Sequence, residues 1–270
     1  MSYQLWNIVV SDGDKIFIHW YDTLASTNTT ALKLAQSGAP EWTVIAAAEQ
    51  TAGRGRFQRQ WASPSGSGLW FSVILRPVIE SQFLNLVTLH AALVVRDFLS
   101  QLLQETTSTV HHLLQVKWPN DILLNKKKIA GLLFEGSVIS QKVGYMVAGI
   151  GMNILQSRND FPPELQKSAI SLNMVVAKKW NIKELLVRFL KFYHRQYQKA
   201  LTAKFQEVVD HYQQHLLFLN QKVLIHFPER NFSGILKGVN QYGHLLVESA
   251  GELKEISSSD IWMIREEEKR

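Results

Sequence analysis

Cysteine is absent from the 270 residues, which excludes a disulfide framework, thiolate metal sites and a thiol nucleophile together. Its absence fits a reducing compartment, and the cytoplasm is the expected location. No apolar run approaches the roughly 18 uninterrupted residues of a membrane span, and the N-terminus has no basic segment leading into an apolar stretch. Neither membrane insertion nor export is expected. Among the nine histidines none falls into a zinc-protease spacing. The close sets are His111-His112 and the i, i+4 pair His211 and His215; with no glutamate beside His211, that pair reads as a solvated helix face rather than a metal site. Dense charge is scarce as well. The formal net charge is +6 and the pI near 9.4, but the only compact runs are Lys126-Lys127-Lys128, which reads as a hairpin tip, and the mixed tail from Arg265 to Arg270. Such a scattered basic excess suits an acidic small substrate or an acidic protein partner as well as it suits a nucleic-acid strand.

What is present is enough apolar residue, 46%, for one large core with a small appendage. Ile16 to Trp20 alternates as a strand after the turn signal Asp12-Gly13-Asp14. Ser26-Thr27-Asn28-Thr29 then supplies helix-capping side chains ahead of Ala31, Leu32, Leu34 and Ala35. Val44 to Ala48 and Leu69 to Leu75 are apolar enough for buried strands, and Leu84, Val87, Ala91, Val94, Phe98 and Leu102 mark a helix over about 81–104. Leu113 to Lys117, the hairpin arms 122–124 and 128–138, and Gly144 to Ile154 read as further strands. Glycines at 149 and 151 leave room for something to approach the backbone. Helical spacing returns from about 182 to 218, through Leu185, Phe189, Tyr193, Tyr197, Phe205, Val208, Tyr212 and Leu216. Short alternating strands from Lys222 to Ile264, including Ile261-Trp262-Met263-Ile264, predict a small β-barrel, with a boundary near Asn220 separating 1–219 from 220–270. Antiparallel strands among helices give the class α+β.

Two stretches carry chemistry. Gln50 to Trp61 contains Gly53-Arg54-Gly55-Arg56, followed by Arg59 and Trp61: glycines that let backbone amides approach an anion, arginine forks to hold it, and an indole face suited to stacking on a base. It fits neither a P-loop nor a dinucleotide fingerprint, since no lysine and hydroxyl residue follow at the required gap. Alone, it reads equally as a nucleic-acid contact or a basic turn. Lys117-Trp118-Pro119-Asn120-Asp121 adds a lysine at the end of an apolar strand, held in place by its neighbours as a transition-state charge stabiliser must be.

With Ser26-Thr27-Asn28, Lys128-Ile129-Ala130-Gly131 and Glu135, Gly149-Ile150-Gly151-Met152-Asn153, and Phe161-Pro162-Pro163-Glu164 in the same order, the sequence resembles the biotin protein ligases. The resemblance spans roughly residues 20 to 265, and the ordered set is far more specific than any one motif. It implies a mixed, largely antiparallel sheet with helices, of the class II synthetase and biotin ligase kind, followed by a small SH3-like β-barrel. It also implies a reaction. Biotin and Mg2+-bound ATP would give biotinyl-5′-AMP, from which biotin passes to a lysine of a biotin carboxyl carrier protein domain of a biotin-dependent carboxylase.

By the same likeness Ser26, Thr27, Asn28 and Gln50 would face biotin, and Arg54, Gly55 and Arg56 would belong to the loop closing over biotin and phosphate. Lys117 would touch the carboxyl and phosphate oxygens and would be catalytic together with Arg54 and Arg56. Arg56, Arg59, Trp61, Lys117 and Asn153 would hold the adenylate, with Trp61 on the adenine; no magnesium ligand is assigned. Some relatives carry an N-terminal helix-turn-helix and repress transcription. Too few residues precede Ser26 for such a domain, so the single-function type is expected, without nucleic acid as a partner. A homodimer is left open, and the related lipoate ligases and a nucleic-acid-binding module are the alternatives.

Overall fold

The computed structural model describes residues 3–10, 13–106, 109–176, 178–203, 206–259, 261 and 263–267. Asp12, Phe205, Trp262 and the last three residues of the basic tail, all used in the sequence reading, lie outside the described residues. The main sheet has eight strands: β1 (Tyr3–Val9), β2 (Lys15–Leu24), β3 (Thr43–Gln50), β4 (Gly68–Leu75), β5 (Leu114–Lys117), β6 (Asp121–Leu124), β7 (Lys127–Ile139) and β8 (Lys142–Asn153). Their spatial order is β1-β2-β3-β4-β8-β7-β6-β5. Among the described residues, only the β2–β3 strand pair of this sheet is parallel. A parallel pair needs a crossover, and helix α1 (Thr27–Gln36) supplies it. The mixed, mainly antiparallel sheet is the one the sequence predicts.

Strand alternation sorts the side chains onto two faces. Val44 and Ala46 of β3 and Leu69, Phe71, Val73 and Leu75 of β4 join the large core, which is filled by α2 (Leu84–Gln104) and α3 (Ile182–Thr202). Ile45, Ala47 and Ile74 point the other way and pack with Leu24, Ala31, Ala35 and Val147 beneath α1. A 3₁₀ turn, Ser81–Phe83, extends α2 to a length and apolarity sufficient to cross a membrane, but most of that span is buried inside the protein, so it serves as the core helix. Arg76 closes the far end of α1 by donating from Nη2 to the carbonyls of Ala35 and Ala39, at 2.9 and 2.8 Å. The start of α1 is thereby aimed along one face of the sheet.

Two elements differ from the sequence reading. β1 is an additional edge strand; with only Trp6 and Ile8 partly buried, it carries too little apolar alternation to announce itself. The helical stretch from 182 to 218 is broken into α3 and α4 (Gln206–Gln214), with Ala203 as the C-cap of α3.

The C-terminal strands β9 (Lys222–His226), β10 (Asn231–Val239), β11 (Leu245–Ser249), β12 (Glu252–Ile256) and β13 (Met263–Glu266) form a five-stranded antiparallel sheet, ordered β12-β11-β10-β9-β13. It fits the small SH3-like unit. Its inward residues Val223, Ile225, Leu236, Val247 and Ile264 are continuous with the main core. Trp118 is buried and donates Nε1–H to the Gly243 carbonyl at 3.0 Å, tying the turn after β5 to the second sheet.

Candidate active site

The α1 face of the sheet is paved with small residues where β4, β8 and β7 run side by side. Ser72 lies opposite Gly149, which lies opposite Leu133; Trp70 lies opposite Gly151, which lies opposite Gly131. A Cβ on Gly149 would sit 2.1 Å from Asn28 Oδ1, and one on Gly151 would sit 2.6 Å from the indole of Trp61. These are the close approaches that the two glycines permit. A cavity of about 330 Å³ opens over this floor, walled by the start of α1, the Arg54 to Trp61 loop, β7 and β8, and the segment around Phe161 and Ala169.

One end of the cavity is a closed polar net. Ser26 caps α1, accepting from Thr29 N at 3.4 Å. Thr27 donates N–H and Oγ1–H to Gln50 Oε1 at 2.9 and 3.1 Å, and Gln50 Nε2 donates to Ser63 Oγ at 2.9 Å. Ser72 Oγ lies 2.8 Å from Thr27 Oγ1 and 2.7 Å from Asn28 Oδ1, while Asn28 Nδ2 donates to Glu135 Oε2 at 2.7 Å. Ser26, Thr27, Asn28 and Ser72 are all buried, so each bond fixes a group that would otherwise be stranded. The structure thus gathers Ser26, Thr27, Asn28 and Gln50 into one wall of the cavity.

Above lies the arginine-glycine loop. It folds back as a short ladder, with Trp61 N donating to Gly53 O at 2.9 Å and Gly55 N to Arg59 O at 2.7 Å. Phe57 and Gln58 turn it with φ of 54° and 59°, a left-handed conformation unusual for such side chains. Arg54 pairs with Glu135 at 2.6 Å, so the carboxylate that holds Asn28 from the floor also holds the loop. Arg56 turns away from the floor and donates Nη2–H to the carbonyls of Ser258 and Ile261, in the second sheet's last connection. Arg59 stays exposed at the cavity's edge.

Trp61 closes the far end. Its ring meets Trp70 edge-on at 6.3 Å between centroids, and Lys128 Nζ stands 5.0 Å above it. Lys128 also pairs with Asp121 at 2.7 Å. Asn153 lines the cavity but is fastened into the framework, donating to the carbonyls of Lys128 and Ile170 at 3.3 and 3.2 Å and accepting from Gln156.

The lysines divide differently from expectation. Lys117 is opposite Asp121 in the β5–β6 register and is not one of the residues walling the cavity; Lys128 is. Burial lowers the pKa of Lys117, Asp121 opposes that, and the positive charges of Lys128 and Arg59 add to the lowering. Lys117 thus shares a charge cluster with Asp121, Lys128 and Arg59 without being one of the residues that wall the cavity. Lys128 opens the motif Lys128-Ile129-Ala130-Gly131, but from sequence a lysine in a lysine run at a hairpin reads as a solvated tip.

Residues 20–153 match the model of the biotin/lipoate A/B protein ligase family. The bifunctional ligase/repressor BirA of Bacillus subtilis is 35% identical over 242 residues, covering 90% of this chain and 72% of that protein. A biotin acetyl-CoA-carboxylase ligase of Mycobacterium tuberculosis is 28% identical over 89% of this chain and 86% of its own length. Among solved structures, the biotin protein ligase of Aquifex aeolicus in complex with biotin and ATP superposes with a TM-score of 0.73 at 29% identity, covering 93% of this chain and 99% of that one. By sequence, fold and the residues gathered around the cavity, the chain belongs to the biotin/lipoate A/B protein ligase family.

Proposed function

We infer that the chain is a biotin protein ligase. It joins biotin to ATP as biotinyl-5′-AMP, releasing pyrophosphate, and then passes the biotinyl group to the ε-amine of one lysine on a biotin carboxyl carrier protein domain of a carboxylase. The observation that carries this reading is the cavity's polarity: a closed hydroxyl and amide wall at one end, an indole at the other, and cations between them. That order matches a small acid joined to a nucleotide.

In the first step a carboxylate oxygen of biotin attacks the α-phosphorus, and the bond to the β-phosphate oxygen breaks. Both reactants are anionic, so cations held between them count most as charge builds in transit. Lys128 faces that position from the wall, and Lys117 adds its charge to the same cluster. Arg54, Arg56 and Arg59 line the cavity from the loop, from which they would turn to the phosphates, Gly55 lets the backbone come close, and Trp61 offers its face to adenine. In this reading Asn153 positions the Lys128 strand beneath the nucleotide through its bond to the Lys128 carbonyl. The Asp121 carboxylate lines the cavity, and one carboxylate beside substrate phosphates is a common setting for magnesium. Asp121 is therefore the residue to hold Mg2+ arriving with ATP, where the ion would neutralise phosphate charge.

In the second step the carrier amine attacks the acyl carbon and AMP leaves. Neither step needs a covalent enzyme intermediate, in keeping with a sequence without cysteine. We read residues 220–270 as a C-terminal domain whose core joins the main one and which holds the loop through Arg56. The test is to incubate the protein with biotin, Mg2+-ATP and a carrier domain and to measure the carrier's mass. A single biotinyl increment on one lysine is expected; an unmodified carrier beside a positive control enzyme would refute the reading.

A further inference from the structure

The pair His211 and His215 reads from sequence as a solvated helix face, but the fold brings a third donor to it. His211 of α4 and His215, in the turn just after it, have their imidazoles 5.2 Å apart between centroids, and Asp97 of α2 faces them, with its Oδ2 3.9 Å from His211 Nε2. One ligand atom from each of the three lies within 4.8 Å of the others. We propose that Asp97, His211 and His215 form a binding site for a divalent transition metal of the zinc class, clasping α4 to α2 outside the catalytic cavity.

Two imidazoles and a carboxylate are a common three-ligand set for such ions, with water completing a tetrahedral shell. The same set is poor for magnesium, which prefers oxygen donors and would stay with ATP. Access is open: the side chains of His211 and Asp97 are 43% and 28% exposed. Arg96 holds the other Asp97 oxygen, Oδ1, at 2.7 Å. It fixes the carboxylate's orientation as an outer-shell partner does, while its charge opposes the incoming cation.

The site has a mechanical connection to the chemistry. The carbonyl of His215 accepts from Val116 N at 2.9 Å, and Leu217 N donates to Val116 O at 2.8 Å. An ion held by His215 would therefore brace β5 immediately before Lys117.

The test uses the full chain stripped with chelator, without ATP or magnesium, titrated with Zn2+ by calorimetry and with Co2+ by visible absorption. About one equivalent of zinc per chain and a tetrahedral cobalt spectrum are expected, together with a rise in melting temperature on adding zinc. The double variant His211→Gln, His215→Gln should lose the equivalent and the rise, whereas His111→Gln, His112→Gln should keep both. No bound equivalent in the parent protein, or an equivalent that survives in His211→Gln, His215→Gln, would overturn the site. Should that variant fail to fold, Co2+ broadening of imidazole resonances in the unmodified protein decides: broadening centred on His211 and His215 supports the site, and broadening elsewhere or none refutes it.

Discussion

The floor and the lid of the cavity are built on opposite principles, although both end on Glu135. On the floor, Asn28 reaches Glu135 from a buried net in which Ser72, Thr27 and Gln50 are already satisfied. On the lid, Arg54 reaches the same oxygen from an exposed loop that turns through two left-handed residues. A preformed net suits recognition of a fixed, uncharged shape such as biotin's ring, because its groups are oriented before the ligand arrives. An exposed ion pair of this kind contributes about 0–1 kcal/mol, little enough to be exchanged for a phosphate. In the proposed reaction the difference would give specificity to the sheet face and closure over the reactive anhydride to the loop.

Lys128 stands between the two, and its loss should have the largest effect. Lys128→Ala is expected to lower adenylation about 100- to 1000-fold while the melting temperature holds. Lys117→Ala should also impair adenylation but less, since that lysine is not one of those walling the cavity. Single-turnover formation of the adenylate, measured for both, ranks them, and a deeper defect at Lys117 would reverse the assignment.

Acid should attack the scaffold beneath the floor before it affects the lid. His90 on α2 is buried, and its pKa is pushed down to about 4, chiefly by burial, against a backbone hydrogen bond involving Gln196 and with some help from His211. The unfolded imidazole takes a proton below pH of about 6.5, which the folded protein refuses until about 4. Stability is therefore full above that window and falls by about 3 kcal/mol across it. Urea midpoints from pH 7 to pH 4 should show the loss, and His90→Gln should flatten it; an unchanged slope in that variant would place the acid sensitivity elsewhere.

The sharpest pairwise contrast is smaller. Asn28→Ala removes one of the two buried partners of Ser72 and a partner of Glu135, at a cost of about 1–3 kcal/mol, and should raise the KM for biotin. Arg54→Ala, at the other end of the same carboxylate, should cost less than about 1 kcal/mol and act on turnover instead. Equal destabilisation by the two would erase the distinction between floor and lid.

Much of this was legible in the sequence. Val44 to Ala48 and Leu69 to Leu75 announce buried strands by their apolar runs, and Ser26 to Thr29 announces a capped helix start. Gly149 and Gly151 announce close approach, although only the fold says that Asn28 and Trp61 make it. The choice between lysines was hidden. Which side of a hairpin faces a cavity depends on register, and the β6–β7 pairing shifts between Ile122 and Leu123, just where Lys128 is set opposite Leu123. No residue type signals that shift. Arg56 was equally opaque, because its partners are backbone carbonyls some two hundred positions away.

Exchange of labelled pyrophosphate into ATP, run with biotin and in parallel with lipoate, most directly tests whether this floor activates biotin. Exchange that requires biotin, ignores lipoate and collapses in Lys128→Ala is the expected result. Exchange with lipoate alone, or with neither acid, would contradict it.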